Sequence, residues 1–357
     1  MSEDPADHHA PPARLSPWAS LGQRDYSFLF LLALFATTAQ QMRQAQIFYQ
    51  VYDLSGSAFQ LGMALTSTLN IVLTPTRMSI ISYLVPRTHL TNAVLLNSAV
   101  SQASHFIGPM LGGLSLAWMS TGNAYLFNAL FYLPAVMAII LLKIPPIVGK
   151  SAEKFSLASL LGGVKFLISE PVVFAMVILD FVVIGFGYFR PLLPVFAKDI
   201  LFVGPTGFGM LSSAPAIGGI IATVSLLLFG DVKNKGSLAL WSFLAYAAAV
   251  GLLALSSVFW LSLLLLGITG LANSLQAVMR QTTFHLRTPD QVRGRAFAVF
   301  HMFSQGANGF GATEIGFMAA LLGAPGALLF GGAVGGLLTL GCWVGMPGLR
   351  RFGNEKQ

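Results

Sequence analysis

The C-terminal half of this chain repeats its N-terminal half, and the two copies differ in length. Asp53 aligns with Asp199, and Gly62-Met63 with Gly209-Met210, at offsets of 146 and 147 residues. From Asn70 onward the partner lies 203 residues downstream. Asn70 matches Asn273, Arg77 matches Arg280, Pro86 matches Pro289 and Ser101-Gln102 matches Ser304-Gln305. Gly108 matches Gly311, and Leu126-Phe127 matches Leu329-Phe330, without a gap. Between Met63 and Asn70 the offset rises from 147 to 203, a jump of 56 residues. Such a chain must fold as two related units, the first built without 56 residues that the second retains.

Composition fixes the medium in which those units fold. With 55% hydrophobic and 9% charged residues, and a mean hydropathy of +0.73, the chain reads as a polytopic membrane protein. Its charge is confined to breaks between apolar stretches of about 20 residues, the length that crosses a bilayer as helix. Strand-like alternation is absent, and a lipid environment demands internally satisfied backbone, so the fold class is all-α. A duplicated membrane protein is the pattern of secondary transporters.

The net charge of +7 invites a nucleic-acid partner, which the distribution of the charge excludes: Lys and Arg sit between spans. The single cysteine, Cys342, rules out an internal disulfide framework. Residues 1–21 are polar and Pro-rich and read as a disordered cytoplasmic tail, with His8-His9 taken as solvated sequence rather than a metal site.

Apolar stretches at 26–50, 58–76, 92–118, 123–142, 171–189, 207–229, 237–256, 258–279, 296–321 and 325–346 predict ten spans. Alternate connections carry the positive charge. One set holds Arg14, Arg24, Arg77, Arg87, Lys143, Lys150, Lys154, Lys165, Lys233 and Lys235. It continues with Arg280, Arg287, Arg293, Arg295, Arg350, Arg351 and Lys356, whereas the other set holds only Arg190 and Lys198. The positive-inside rule makes the first set, and both termini, cytoplasmic. The units expected are an N-terminal bundle over 22–142, a linker over 143–170, a C-terminal bundle over 171–346 and a tail over 347–357. Within the linker, residues 156–169 read as an amphipathic helix on the inner surface, and Pro171 opens the fifth span in a first helical turn.

Several segments resemble the major facilitator superfamily, in its bacterial drug- and siderophore-exporting branch. They are RDYSFLF…YQVYDLSGSAFQLG (24–62), YLVPRTHLTNAVLLNS (83–98), IGPMLGG (107–113), RPLLPVFAKDILFVGPTGFGML (190–211) and RTPDQVRGRAFAVF (287–300). The resemblance covers about 22–346 and implies a two-bundle exporter, six helices to a bundle, driven by proton antiport. Against that plan the chain has about ten transmembrane helices instead of twelve. The missing block corresponds to the inner half of the second helix, the next loop, the third helix and the outer half of the fourth. The lost loop is where the family carries a glycine- and acid-plus-basic gating motif. Its second-half counterpart survives as FGDVKNKG (229–236), with Asp231. Joining two half-helices of the same direction preserves the topology of every later span.

Of the thirteen acids, only Asp180 and Glu314 lie inside predicted spans. A charge at the bilayer centre costs roughly 2.5–3.5 kcal/mol on insertion scales, so it faces a polar cavity or a partner. Asp180 lies nine residues past Pro171, about 13 Å at 1.5 Å per residue, near mid-membrane. Both acids are candidates for proton coupling; an ion-paired structural acid is the alternative for Asp180, and tight helix packing the alternative for Glu314.

Arg43 is the one base well inside a predicted span, among Gln40, Gln41, Gln44 and Gln46. Helical spacing puts Gln40, Arg43 and Gln44 on one face, a candidate substrate pathway in which Arg43 pairs with Asp180. Snorkelling of Arg43 to the interface is the alternative. His105 joins the pathway set, with an interhelical hydrogen bond as the competing reading. Gly108, Pro109, Gly112 and Gly113 resemble the antiporter signature GPxxGG, with Ser104 where the family has a further glycine. Glycine permits close helix approach and proline loosens the ladder. Arg87, with Asp290, Arg293 and Arg295 in the equivalent loop, forms a candidate ion-pair latch between bundles, or else simple topology charge.

No P-loop, GxSxG motif or metal-spaced Cys/His cluster is visible, so enzyme chemistry lacks its parts, and no cofactor or metal is expected. The expectation is a monomeric secondary transporter in a bacterial inner membrane whose partners are a small organic molecule, protons and the bilayer. The competing expectation, from the shortened first half, is an inserted but transport-inactive protein or membrane scaffold.

Overall fold

The protein is seen in a computed structural model that describes residues 22–60, 90–141, 157–229 and 234–351. The predicted span 58–76, the 56-residue jump in the repeat offset, Arg77, Arg87 and Asp231 fall wholly or mainly outside the described residues, as do the side chains of Asp290 and Arg293. Every regular element among the described residues is helical.

Three helices come from the first half: α1 (Arg24–Ser55), α2 (Leu90–Trp118) and α3 (Thr121–Leu141). A short helix, α4 (Leu157–Ser169), leads to five longer elements, α5 (Pro171–Phe186), α6 (Gly204–Phe229), α7 (Lys235–Ala254), α8 (Phe259–Arg287) and α9 (Asp290–Gly345). Helix α5 is prolonged by a 3-10 turn at Arg190–Leu192 and a π-type turn at Phe196–Ile200. Helix α9 is two arms meeting at Gly323, whose φ of 74° is open to a residue without Cβ. Pro325 follows, so neither arm continues through the turn.

Six of these segments are long and apolar enough to cross a membrane, the last being both arms of α9. Helices α1 and α2 have the length but carry more polar residues, and they bury them: Thr38, Gln41, Gln46 and Ser104 are all under 9% exposed. Helix α3 turns small residues, Ala124, Asn128, Ala135 and Ala138, inward, and presents Leu126, Leu130, Leu133, Met137 and Ile140 outward. That is the pattern of a helix packed on one side and facing lipid on the other. Tryptophans mark both ends. Trp118 and Trp260 are exposed at one end, and Trp241 stacks edge-on against Trp343 at the other, as expected of interfacial anchors.

Helix α1 packs on α2 and α3, α2 packs on α6, and α5 to α9 pack among themselves, with α4 against α9. The offsets read from the sequence recur in this packing. A Cβ on Gly108 would meet Thr38 and Gln41 of α1, and a Cβ on Gly311 would meet Gly185 of α5 and Tyr188 just beyond its end. The glycines are 203 residues apart and their partners 147. Likewise Asn128 donates to the carbonyl of Ala39 at 2.7 Å, and Gly331, 203 residues on, sits against Phe186, 147 residues on from Ala39.

Two boundaries move. Helix α8 runs to Arg287, not 279, so Arg280 is a buried helical residue, 7% exposed, and not a loop charge. The helical path after α5 runs to Ile200, not 189, so Arg190 also lies within the folded body. In both places polar residues end the apolar run before the helical path ends. Helix α4 forms where the amphipathic helix is expected and docks one face on α9. Gly163 leaves no room for a Cβ against the Arg295 backbone, and Leu167 joins Val173, Val177, Phe284, Ala296, Val299 and Phe300 in an apolar cluster.

Candidate functional site

The described polar interior divides into a charged network inside the C-terminal helices and a recess between the two groups of helices. Asp180, on α5, is 3% exposed. Its carboxylate forms an ion pair with Arg280 of α8. One oxygen accepts from Gln276 Nε2 at 3.1 Å, the other from Ser304 Oγ at 3.1 Å. Arg280 also donates to Ser304 at 3.2 Å and lies 5.0 Å from the Phe300 ring centroid. Gln276 donates in turn to Asn273 at 3.0 Å. Residues Asn273, Gln276 and Arg280 share one face of α8 at spacings of three and four, which is why one helix supplies most of the cradle, with Ser304 of α9 completing it. The network ties α5, α8 and α9 together.

This arrangement corrects the pairing expected for Asp180: its partner is Arg280, and Arg43 is exposed. The expected face of α1 is also rotated. The buried stripe runs through Thr38, Gln41, Ala45, Phe48 and Tyr52, while Gln40 and Gln44 are half-buried. Gln41, unassigned in the candidate set, donates to the His105 ring. Gln46 donates to Ser115 Oγ at 2.9 Å and to the Ala124 carbonyl at 3.0 Å, joining α1 to α2 and α3.

Glu314, in the outgoing arm of α9, has both carboxyl oxygens buried without a hydrogen-bond partner among the described residues. A bare carboxylate there would be a buried charge without compensation. The protonated acid suits the site, so the two span acids stand in opposite settings.

Glycines of the 107–113 segment seat two neighbouring helices. A Cβ at Gly108 would approach Gln41 Cβ at 2.6 Å, and one at Gly112 the Met42 carbonyl at 2.9 Å, so both admit α1. One at Gly113 would approach the Pro205 carbonyl at 2.5 Å and Gly209 Cα at 2.7 Å, so that glycine admits α6. Ser104, one turn before Gly108, is fully buried and accepts from Thr38 at 3.0 Å. It keeps the same face toward α1 while adding a hydrogen bond. The α2–α6 seam is pinned by Ser213 Oγ donating to the Phe106 carbonyl at 2.7 Å.

At the end of α1 that carries Asp53, further contacts join the two groups. Lys198 donates to Asp53 at 2.6 Å, Tyr52 donates to Asp199, and the rings of Tyr49 and Phe208 lie 5.5 Å apart. Below this layer opens a small recess of about 20 Å³ lined by Gln41, Gln44, Ala45, Phe48, Pro109, Arg190, Leu193 and Ser212. Gln44 and Pro109 therefore meet here. Of the expected latch, Arg295 is exposed and its backbone serves as the seat for α4.

Comparison with known proteins agrees with this architecture. Residues 16–348 match the family described as transmembrane secretion effector, MFS_3. The chain is 26% identical over 240 residues to the enterobactin exporter EntS of Shigella boydii serotype 18, and 25% identical to that of Escherichia coli O81. Each match covers 67% of this chain and 57% of the relative, so it spans less than two thirds of the relative's length. Among solved structures, a D-xylose–proton symporter aligns with a TM-score of 0.57 at 16% identity, covering 96% of this chain and 91% of the other. A POT family transporter in complex with a thioalcohol-conjugated peptide aligns at 0.60 and 11% identity, covering 92% and 88%. These two share the fold. With its internal repeat and multiple membrane-length spans, the chain belongs to the transmembrane secretion effector family of the major facilitator superfamily, as a multi-pass membrane protein.

Proposed function

We propose that this protein exports a small organic molecule, drug- or siderophore-like, across a bacterial inner membrane against proton entry, with both termini cytoplasmic. The observation that carries the coupling part is the buried Asp180–Arg280 pair, which fastens α5 to α8 and α9. Protonation of Asp180 removes the charge that holds Arg280, so a proton arriving there loosens three helices at once. Glu314, buried without a partner, serves as the second proton site, already in the setting of a neutral acid. The ring and ion-pair contacts at the Asp53 end close the outer side in this conformation, and alternating access requires them to break.

The test is efflux from proteoliposomes carrying the purified full chain, across a panel of organic dyes and antibiotics, with and without an imposed proton gradient. Gradient-dependent flux that Asp180→Asn abolishes is the expected result. Absence of gradient-coupled flux for every compound, with correctly inserted protein, overturns the transporter reading. It would leave the second reading, an inserted but inactive protein or scaffold, which the 56-residue shortfall of the first repeat favours.

A further inference from the structure

The recess between the two helix groups has one charged side chain in its lining, Arg190. Its half-buried guanidinium has no hydrogen-bond or ion-pair partner among the described residues. The described acids are engaged or placed elsewhere. Asp180 belongs to Arg280, Asp53 to Lys198 and Asp199 to Tyr52, and Glu314 has its own enclosed site. The remaining lining is neutral: two glutamines, a serine, a proline, an alanine, a leucine and a phenylalanine.

Topology does not account for Arg190 either. On the proposed orientation it stands on the charge-poor outer side, where the positive-inside rule gives no reason for a cation. Lys198 on that side is explained by Asp53 at 2.6 Å. Near the outer end of its helix a cation could turn to the interface; Arg190 instead lines the recess, and a cation held inside the protein without a protein partner is a candidate ligand contact. Guanidinium offers a planar fork of donors matched to carboxylate, sulfonate or phosphate. Gln44 and Ser212 add neutral donors beside it, and Phe48 and Leu193 supply apolar walls. This is the makeup of a site with few polar groups set in apolar surroundings. The cavity volume is about 20 Å³, about that of one water, so in this closed conformation the recess admits no more than a small anionic head and the apolar body must lie outside it.

We propose that the Arg190 recess binds the anionic group of the exported molecule, making the preferred substrates organic anions with an apolar body. The proposal rests on the transporter reading and adds the substrate class to it. The anion would lie on the inner side of the Tyr49–Phe208 and Tyr52–Asp199 contacts, where its arrival neutralises the one cation of the recess.

Equilibrium binding separates this inference from transport. The full chain in phosphatidylcholine nanodiscs is titrated with three probes of one skeleton: 2-naphthoate, neutral 2-naphthamide and cationic 2-naphthylmethylammonium. The expected result is at least tenfold tighter binding of the carboxylate than of either other probe. Arg190→Gln should bring the three affinities within twofold of one another while leaving naphthamide binding unchanged. If Arg190→Gln does not yield folded protein, Arg190→Lys is measured; it keeps the charge but not the fork, and a preference reduced to a few-fold is expected. No carboxylate preference in the wild type, or an undiminished preference in Arg190→Gln or Arg190→Lys, overturns the proposal. Competition by phosphatidylglycerol added to the nanodisc would assign the recess to a lipid headgroup and overturn it as well. Charge-selective binding at Arg190 without any transport would overturn the transporter reading and leave the anion site standing.

Discussion

Asp180→Asn should destabilise the protein by about 3 kcal/mol, and the loss should depend on Arg280. Removing one member of a buried ion pair costs about 3–5 kcal/mol, because the other charge is left uncompensated. Here the abandoned Arg280 keeps Ser304 at 3.2 Å and the Phe300 ring at 5.0 Å. A cation–π contact of that kind contributes about 0.5–2 kcal/mol, which places the loss at the lower end of the range. Arg280→Met should cost a similar amount, about 3 kcal/mol, since Gln276 and Ser304 still donate to the stranded carboxylate. The double variant removes both charges and should fall only about 2 kcal/mol below the wild type, for a coupling energy of about 4 kcal/mol. That value matches two unit charges about 4 Å apart at an effective dielectric constant of about 20. The parallel cycle of Asp180→Asn with Arg43→Gln should give a coupling below about 0.5 kcal/mol, because Arg43 is exposed and outside the network. Reversible unfolding in bicelles, followed by steric trapping, measures all of these. A coupling under about 1 kcal/mol in the Arg280 cycle, or a larger one in the Arg43 cycle, would refute the assignment of the pair.

Further outcomes follow from the packing. Gly113→Leu should push α2 off α6, since the Cβ alone would meet the Pro205 carbonyl at 2.5 Å; the expected loss is about 1–3 kcal/mol. Gly336→Ala, with open space around it, should stay within about 0.5 kcal/mol of the wild type on the same unfolding assay. Neutralising the exposed Asp53–Lys198 bridge by Asp53→Asn should change stability by less than about 1 kcal/mol. Yet an Asp53→Cys, Lys198→Cys pair, once oxidised, should stop flux in proteoliposomes, and reductant should restore it. Unimpaired flux in the cross-linked protein would show that this end does not open during transport.

Reading the chain as residues succeeded where a local pattern and a global requirement coincide. The spacing of Gly108, Gly112 and Gly113 allowed close approach to two directions on α2, and α1 and α6 occupy them. The failures lie where polar residues continue a helix. Arg280 looked like a loop charge because the apolar run stops before it, although Asn273, Gln276 and Arg280 already formed one polar face at helical spacing. Arg190 was set outside for the same reason, with RPLLP following it, whereas 3-10 and π-type turns carry the path on to Ile200. On α1, a polar-face argument selected Gln40, Arg43 and Gln44, but neighbouring helices pack against Thr38, Gln41 and Ala45. Several glutamines in a row leave the angle of the face undetermined to within one residue.

The amino-acid sequence determined the duplication, the membrane environment and the helical class, because each is a property of order and composition along the chain. Repeat offsets survive any packing, and a bilayer permits little but helices for apolar runs of this length. Only the tertiary structure decided which charge answers which. Asp180 had bases at Arg43, Arg190 and Arg280 to choose among, separated by 137, 10 and 100 residues. Helix rotation and crossing brought Arg280 to it, left Arg43 exposed and turned Arg190 into the recess. A buried charge is stable only beside its complement, and that proximity is a property of three packed helices rather than of any one of them.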